Sequence, residues 1–516
     1  MKDPNQNGIS RRAALGLAAG ASTGILSAAV PKQGVTAHLD DVVAMDASSL
    51  ANAIHTRRIS CVEVMSAYLS HIEKVNPRVN AIVALQDRAD LLHQARERDA
   101  QLTRGASLGP MHGFPHAVKD LRAVRGMLTT MGSPILKNNV PAADALLVER
   151  MRKSGAIFIG KTNTPEFGLG SHTYNPVYGI TRNAYDPSRS AGGSSGGAAV
   201  ALALRMVPLA DGSDYGGSLR NPAGWNGVFG LRPSIGRVPS ESADAWLPTM
   251  STLGPMARNV SDLALLLSVQ AGFDARAPLS LDGEGSAFHR RLESDPRGKR
   301  VAWVRDFNGH APCDPEVLSV CARALRVFES LGCQVEEAAP EFDLESVWQA
   351  LIRLRGWQEG GGILKYYNDA AHRQLLKPEA IYEVEMGLKQ SAFDISAASA
   401  VRTAWSNAVH RFLERYDYFI VPTAQLFPFD AELHWPHEVG GVTMQTYHEW
   451  MKVAFFVTMS GCPALAAPAG FSARGLPIGI QIVAPNRREL DCLQLAYAYE
   501  AAMDPAWKRL AELART

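Results

Sequence analysis

Gly192-Gly193-Ser194-Ser195-Gly196-Gly197 and Asp214-Tyr215-Gly216-Gly217-Ser218 are the two segments of this chain that say most about its fold. Glycines around a serine expose its hydroxyl and leave neighbouring backbone N–H groups free to hold a negative oxygen. The segments are bounded by apolar residues at 198–204 and 207–210, whereas a flexible glycine-serine linker is normally polar on both sides. We therefore expect both segments to be ordered loops of a packed domain.

A lysine lies upstream of these loops, in Pro115-His116-Ala117-Val118-Lys119-Asp120. A single lysine at a strand end is usually exposed to solvent, and that is the simplest interpretation of Lys119 alone. Considered with Ser194 and Ser218, a buried Lys119 would instead supply the base for acyl transfer by a serine. Lysine in place of histidine is a known variant of the Ser-His-Asp arrangement. The residue types thus favour acyl transfer by a lysine-activated serine.

Short apolar runs alternate with helical patterns along the chain, which is typical of an α/β sheet protein. Ser60 and Glu63 form a capping box that predicts a helix ending at Asn76-Pro77. Ser261 is the predicted cap of another helix, at residues 260–270. Further helices are predicted at about 87–102 and 143–153, and strands at 114–118, 156–159, 418–422 and 478–483.

No internal repeat and no linker divides the chain after its first 37 residues. Residues 271–420 have a mostly helical pattern, which we expect to be the variable region that sets substrate specificity. Loops rich in glycine, proline and serine fill residues 168–239, where a rigid sheet would carry functional residues. We predict one large α/β domain over residues 38–516.

The overall charge of the chain argues against a polyanionic partner. Its 52 Lys and Arg residues balance 51 Asp and Glu residues, for a net charge of +1 over 516 residues. No basic stripe stands out, so nucleic-acid binding is not expected. His112 and His116 have a spacing that could suit a metal, but no carboxylate or cysteine clusters near them in the sequence. We therefore expect neither a metal nor another cofactor.

The first 37 residues resemble an export signal. Ser10-Arg11-Arg12-Ala13-Ala14-Leu15 is a twin-arginine pattern, and an apolar run rich in Ala and Gly follows it at 13–30. That run is too weakly hydrophobic to indicate a transmembrane anchor. We predict a twin-arginine signal peptide, a periplasmic or secreted location, and no stable membrane association. Six cysteines are spread thinly along the chain, and we expect them to be buried free thiols.

Gly155-Ala156-Ile157-Phe158-Ile159-Gly160-Lys161-Thr162 matches the phosphate-binding loop pattern of ATPases and GTPases. In such proteins a strand precedes the first glycine and a flexible loop joins the two glycines. Here an apolar, strand-like run fills the loop itself, so its amides belong to a sheet. The match is interpreted as a strand and not as a nucleotide site.

Gly192-x-Ser194-x-Gly196 also matches the nucleophile elbow of α/β-hydrolases. That elbow requires a buried strand immediately before it, whereas residues 183–190 have the composition of a loop. An α/β-hydrolase-like serine esterase therefore stays open as a weaker alternative.

The chain resembles the amidase signature family of Ser-Ser-Lys hydrolases over most of its length after the signal. The resemblance implies one α/β/α domain around a large mixed, twisted sheet, and hydrolysis of a small-molecule carboxylic amide. The family also contains the amidase-like component of the tRNA-dependent amidotransferase, its A subunit, so a transferase is a second alternative. Dimers are common among similar proteins, which suggests a homodimer. The residues that carry the resemblance are Val118-Lys119-Asp120, Gly160-Lys161-Thr162-Asn163, 190–197, 212–220, Gly230-Leu231-Arg232-Pro233-Ser234 and Gly254-Pro255-Met256-Ala257-Arg258.

The resemblance also implies a role for each matching residue. Lys119 corresponds to the base, Ser194 to a bridging serine that follows a cis peptide bond, and Ser218 to the nucleophile. Asp214 and Arg220 correspond to residues that support the loops. Two positions depart from the common pattern: Tyr215 replaces Thr or Ile, and His116 replaces an aliphatic residue. The oxyanion hole and substrate-binding segment would comprise Tyr215, Gly216, Gly217 and Ser218, with Gly168 on the pocket wall.

Overall fold

Strands form the framework that positions the candidate site. The structure is a computed structural model, and it describes residues 39–242, 244–247, 249–283, 285–508 and 511–512. The strands in this part of the chain are β1 (Ile82–Val83), β2 (Pro115–Lys119), β3 (Ile157–Thr162), β4 (Tyr174–Asn175), β5 (Gly179–Ile180), β6 (Ala210–Asp214), β7 (Phe229–Arg232), β8 (Thr252–Ala257), β9 (Arg300–Trp303), β10 (Gln334–Glu337), β11 (Tyr418–Pro422), β12 (Glu438–Val439), β13 (Val442–Thr443), β14 (Ala464–Phe471) and β15 (Pro477–Val483).

An eight-stranded mixed sheet lies at the centre, in the order β10-β9-β11-β15-β14-β7-β8-β6. Strands β10, β9 and β11 run parallel, and the remaining neighbours pair antiparallel. All residues of β11 and β15 are buried, which explains why their sequences are almost continuously apolar. This sheet confirms the predicted α/β fold class, with strands at two of the positions expected from the sequence.

A smaller sheet, in the order β1-β3-β2, abuts one edge of the large sheet. Strands β2 and β3 are parallel, and β1 joins β3 antiparallel. The Asp211 carboxylate on edge strand β6 accepts a hydrogen bond from His116 Nε2 at 3.0 Å and from the Lys119 amide at 3.3 Å, so it links the two sheets. This link brings the end of β2 close to β6.

Helices cover the sheets and form a separate layer beside the site. They are α1 (Leu39–Ala44), α2 (Ala47–His55), α3 (Cys61–Val75), α4 (Arg88–Thr103), α5 (Leu146–Lys153), α6 (Gly196–Ala203), α7 (Arg220–Trp225), α8 (Val260–Gln270), α9 (Ala287–Arg290), α10 (Pro315–Ser330), α11 (Leu344–Tyr367), α12 (Ala370–Arg373), α13 (Pro378–Leu388), α14 (Ala392–Leu413), α15 (Lys452–Ser460) and α16 (Glu489–Ala502).

Helices α10 and α16 pack on β14 and β15, while α7 packs on β7, β14 and β15. Helix α7 approaches the sheet closely: a Cβ added at Gly224 would lie 2.1 Å from Thr423 Oγ1. Only a residue without a side chain fits there. Helix α11 packs on both α13 and α14, and α11 and α14 also contact α15.

Residues 271–420 contribute more than the expected helices α9 to α14, since they also include β9 and β10 at the edge of the large sheet. The capping box of Ser60 and Glu63 at the start of α3 is confirmed. The strand that replaces a phosphate-binding loop is also confirmed, because β3 spans Ile157–Thr162 and all six of its residues are buried.

All six cysteines are buried free thiols, as predicted. The predicted signal peptide, residues 1–37, lies outside the described residues. Within the described part of the chain, no helix is both long enough and apolar enough to cross a bilayer.

The predicted cap of α8 is wrong. Asn259, not Ser261, precedes the first helical residue, and its side chain accepts a hydrogen bond from the Asp262 amide at 2.7 Å. Asn259 Nδ2 also donates to Asp262 Oδ2 at 2.8 Å. Asn caps a helix as well as Ser does, so Asn259 fits this role although Ser261 was the only cap predicted from the sequence.

Asn259→Ala should lower the free energy of unfolding by about 1 kcal/mol, because it leaves a helix N-terminal amide without its partner. Ser261→Ala, the matched control, should change that free energy by less than about 0.5 kcal/mol. Urea denaturation followed by circular dichroism measures both variants. An equal loss for the two variants would contradict the assignment of Asn259 as the cap.

Candidate active site

The candidate site is a cavity of about 160 Å³ beside the junction of β2 and β6. The loops after β2 and β3, the turn between β6 and α7, and helices α11 and α15 enclose it. Its lining brings together Ser194, Ser218, Tyr215, Gly216 and Gly168, which the sequence predicted. The remaining lining residues are Leu121, Arg122, Met131, Phe167, Gly170, Ser171, Ser213, Ser251, Arg355, Glu359, Met451 and Phe455.

Lys119 is the last residue of β2, and its side chain has no exposed surface. Its Nζ is hydrogen-bonded to Ser194 Oγ at 2.8 Å and to Ser195 Oγ at 2.8 Å. A third hydroxyl, Ser213 Oγ, lies 3.1 Å from the same nitrogen. The described residues place hydroxyls and a backbone carbonyl around this amine, but no carboxylate within ion-pair distance. The amine is therefore solvated by neutral groups.

Burial lowers the pKa of the Lys119 amine to about 7, and the positive charge of Arg122 acts in the same direction. The carboxylates of Asp211 and Asp214 oppose this shift from a greater distance. A substantial fraction of Lys119 is therefore neutral near neutral pH and able to accept a proton.

Ser194 and Ser195 lie in the loop just before α6, where the Gly193–Ser194 peptide bond is cis. The glycines that follow let α6 pack against β3 and the residues after it. A Cβ at Gly197 would lie 2.4 Å from the Asn163 amide nitrogen. Gly168 approaches the serine loop from another side, since its Cβ would lie 3.5 Å from Ser194 Oγ. Close backbone packing thus holds the loop against the lysine.

Ser218 lies in the turn between β6 and α7, with 7% of its surface exposed toward the cavity. Its carbonyl accepts a hydrogen bond from the Ser195 amide at 3.2 Å, which links the two serine loops. Within the described part of the chain, no residue forms a hydrogen bond with Ser218 Oγ. The hydroxyl therefore faces the cavity, which Ser194 also lines.

The Asp214 carboxylate shapes the turn that carries Ser218. It is paired with Arg220 at 2.8 Å and with Arg232 at 3.2 Å, and it accepts hydrogen bonds from the Gly217 and Leu219 amides at 2.9 Å each. Burial alone would raise the pKa of Asp214, but the charges and hydrogen bonds of the two arginines hold it well below its usual range. Asp214 is thus a permanent anion that organises the turn.

Because Asp214 binds the Gly217 amide, this amide does not face the cavity as the sequence-based oxyanion hole required. The amides of Tyr215, Gly216 and Ser218 form no hydrogen bond with any described residue. Three amides of the predicted four therefore remain to hold a negative oxygen.

Comparison with known proteins identifies the family of this chain. The family model described as Amidase matches residues 63–493. The chain belongs to the amidase family. It is 35% identical over 472 residues to an acylamidase of Rhodococcus erythropolis, a similarity that covers 91% of this chain and 97% of that protein.

A second relative of this amidase is a component of the glutamyl-tRNA(Gln) amidotransferase of Moorella thermoacetica, its A subunit. The two chains are 33% identical over 481 residues, or 89% of this chain and 97% of that protein. Among solved structures, a bacterial aryl acylamidase of the amidase signature family superposes with a TM-score of 0.84 at 28% identity, covering 91% of this chain and 98% of that one. The protein is a hydrolytic amidase, and the predicted enzyme class is confirmed.

The α/β-hydrolase alternative does not fit the structure of this amidase. No strand immediately precedes the Gly192–Ser194 segment, since residues 191–195 have no regular secondary structure and Ser190 forms only an isolated bridge with Arg182. The nucleophile elbow requires a strand at that position.

The Tyr215 ring is held by residues from the helical region. The Arg355 guanidinium lies over the ring, 4.9 Å from its centroid, and Tyr215 Oη donates to Gln358 Oε1 at 3.2 Å. Arg355 is itself fixed by an ion pair with Glu383 at 2.7 Å. Helix α11 thus forms one wall of the amidase cavity, as expected of the 271–420 region.

Several site residues of the amidase have no motif that would reveal them. Ser195, Ser213 and Asp211 contact the side chain or the backbone of Lys119. Ser195 adjoins Ser194, and Ser213 adjoins Asp214, within the segments 190–197 and 212–220. This position close to predicted site residues was an available signal. Arg355 and Glu359 carry no signal in the sequence, because they lie far along the chain in an ordinary helix.

Each of the two histidines considered as metal ligands uses at least one ring nitrogen in a hydrogen bond within the protein. His112 Nε2 is bonded to the Arg98 carbonyl at 3.0 Å, and His116 Nε2 to Asp211. Among the residues that the structure describes, no group of three or more His, Cys, Asp or Glu side chains is placed to hold a metal ion.

Proposed function

We propose that this amidase cleaves its substrate through an acyl-enzyme on Ser218, with Lys119 as the base and Ser194 as the proton relay. The observation that carries the proposal is the buried Lys119 amine, hydrogen-bonded at 2.8 Å to a serine hydroxyl that shares a cavity with Ser218. A buried amine without a carboxylate partner is costly unless it is neutral, and a neutral amine is a base.

In the first half-reaction, Ser218 Oγ attacks the amide carbonyl carbon while its proton passes to Ser194 Oγ, whose own proton passes to Lys119 Nζ. The free amides of Tyr215, Gly216 and Ser218 stabilise the negative oxygen that develops, each contributing about 3 kcal/mol. Collapse of this tetrahedral intermediate breaks the C–N bond. The relay then reverses, so the leaving nitrogen takes a proton and departs as an amine or ammonia.

In the second half-reaction, water attacks the acyl-enzyme and gives its proton to the same relay. The carboxylic acid leaves, and Ser218 recovers its proton. Ser195 and Ser213 act as positioning residues, because they hold Lys119 Nζ within reach of Ser194 through both halves. Their neutral hydroxyls do this without stabilising the ammonium form as a carboxylate would.

The proposed substrate is a small carboxylic amide with an alkyl or aryl substituent. Two relatives support this choice, since one is an acylamidase and the other an aryl acylamidase. The cavity is small, with both apolar walls, such as Met131 and Phe455, and charged walls. The similarity to the amidotransferase A subunit extends over the same domain as the similarity to the acylamidase. A near-neutral overall charge does not favour a tRNA-dependent role.

Ser218→Ala and Lys119→Ala should each lower kcat by about 10³-fold or more, because each removes a group on which both half-reactions depend. Hydrolysis of a panel of simple amides and anilides measures the loss. Exposed residues of the same types serve as controls: Ser319→Ala and Lys153→Ala should retain activity within about twofold. Full activity of the Ser218 variant, or only a few-fold loss for the Lys119 variant, would refute the assigned roles.

The kcat/KM of the amidase should rise with pH through an apparent pKa of about 7. Below this pKa Lys119 is an ammonium ion and cannot accept the proton from Ser194, whereas above it the amine is neutral and active. A pH series with a neutral amide substrate measures the profile. A rate that is unchanged from about pH 5 to about pH 9 would show that no group with this pKa acts as the base.

We further propose that the protein is exported through the twin-arginine pathway to the periplasm or beyond. The pattern at residues 10–15 and the apolar run behind it support this location. The six buried free thiols are compatible with it, because a protein exported after folding need not form disulfides.

Arg11→Lys with Arg12→Lys should retain the protein in the cytoplasm, because this pathway recognises the arginine pair. Cell fractionation with an antibody to the protein measures its location. The chain provides its own control in a second pair, Arg57→Lys with Arg58→Lys, which is exposed and lies well after the signal. Export of the first variant at the level of the control would overturn the proposed route.

A further inference from the structure

Arg122 occupies an unusual place beside the active site. It lies in the turn after β2, where its amide donates to the Lys119 carbonyl at 3.0 Å. Its side chain lines the active-site cavity and also a neighbouring cavity of about 210 Å³. Ser251 is the other residue that both cavities share. The guanidinium therefore forms part of the boundary between the two spaces.

The Arg122 guanidinium has no hydrogen bond and no ion pair with any residue that the structure describes. Its Nε is fully enclosed and lacks a partner. The other arginines near the site are paired: Arg220 and Arg232 with Asp214, and Arg355 with Glu383. Arg122 as a whole is only partly buried, and among its nitrogens only Nε is completely enclosed without a partner. Leaving this one of its five donors unsatisfied is costly.

The acidic residues around Arg122 are either already engaged or out of reach. Asp211 accepts hydrogen bonds from His116 and the Lys119 amide, and Glu241 accepts one from the Leu146 amide at 2.8 Å. Glu359 lines the same cavity but does not reach ion-pair distance. The fold thus places a permanent positive charge on the substrate cavity, and no described carboxylate lies within ion-pair distance of it.

A planar guanidinium matches the two oxygens of a carboxylate, which it binds through parallel hydrogen bonds. We propose that Arg122 binds a carboxylate group of the substrate, so that this amidase prefers amides that carry a second, ionised carboxyl group. The inference rests on the proposed function, because it places this carboxylate in the cavity that contains Ser218.

Glu359 raises the competing idea of a substrate with a positive charge. Burial raises the pKa of Glu359, although the charge of Arg355 opposes this. Glu359 therefore takes up a proton more readily than an exposed glutamate, whereas an arginine stays charged at all relevant pH values. Of these two side chains, which have no ion-pair partner among the described residues, Arg122 is the one whose charge persists.

The first experiment compares three primary amides of similar length: the monoamide of glutaric acid, pentanamide and 5-aminopentanamide. A second pair, N-pentanoyl-β-alanine and N-propylpentanamide, places the carboxylate on the amine side. Wild-type kcat/KM should be about tenfold or more higher for the carboxylate member of at least one series. Loss of the Arg122 charge should raise the pKa of the Lys119 amine. All assays are therefore run at about pH 9, where Lys119 stays mostly neutral with or without that charge.

Arg122→Gln should reduce kcat/KM for the preferred carboxylate substrate about tenfold more than for its neutral counterpart. Arg125→Gln is the matched control, since Arg125 is exposed, lines neither cavity and has the same charge. It should leave the preference unchanged. No carboxylate preference in either series, an equal loss for both kinds of substrate, or a preference for the ammonium substrate would overturn the inference.

A binding experiment separates this inference from the proposed mechanism. Calorimetry with Ser218→Ala protein should show binding of the glutaric monoamide or N-pentanoyl-β-alanine, weakened about tenfold or more by adding Arg122→Gln. If the wild type hydrolyses none of the amides but this binding difference is present, the proposed function fails and the carboxylate site stands. If hydrolysis proceeds but the binding difference is absent, only the inference fails.

Discussion

The burial of one lysine amine among neutral hydroxyls is the constraint on which the rest of the site depends. Lys119 has no exposed surface, and three serine hydroxyls surround its Nζ within 3.1 Å. Hydroxyls can accept hydrogen bonds from an ammonium or donate one to a neutral amine, so they tolerate both protonation states. Burial then decides between the two states and lowers the pKa to about 7. A carboxylate at the same place would raise this pKa and leave the proposed base protonated.

The carboxylates near the lysine are accordingly committed to other partners. Asp214 is paired with two arginines and two amides, and Asp211 is bonded to His116 and to the Lys119 backbone. Asp214 shapes the turn that carries Ser218, and Asp211 joins the small sheet to the edge of the large one. The same negative charges that build the site are thus bound to groups other than the Lys119 amine. One consequence is that the Gly217 amide serves the fold and not the oxyanion hole.

The two walls of the cavity have different origins. The loops around β2, β6 and α7 supply the groups that we propose react, and they are held by close backbone contacts at glycines such as Gly197. Helix α11 supplies the opposite wall, where Arg355 and Gln358 fix the Tyr215 ring. A rigid reacting side and a separate helical wall allow the substrate to change without disturbing the chemistry. Arg122 follows the proposed base by one turn of the chain and also lines the cavity.

The sequence by itself determined the fold class, the family and the lysine, serines and glycines at the centre of the site. Local chemistry was sufficient for these conclusions, because a capping box, an apolar run or a glycine-flanked serine acts over a few neighbouring residues. Only the tertiary structure decided how these groups pair: that Ser195 and Ser213 share the lysine with Ser194, that Asp214 takes the Gly217 amide, and that Asn259 caps α8. It also decided that the Arg122 guanidinium has no partner among the residues that the structure describes. Each of these outcomes depends on distances between atoms, often from distant segments, and burial makes such distances matter by removing the water that would otherwise satisfy every polar group.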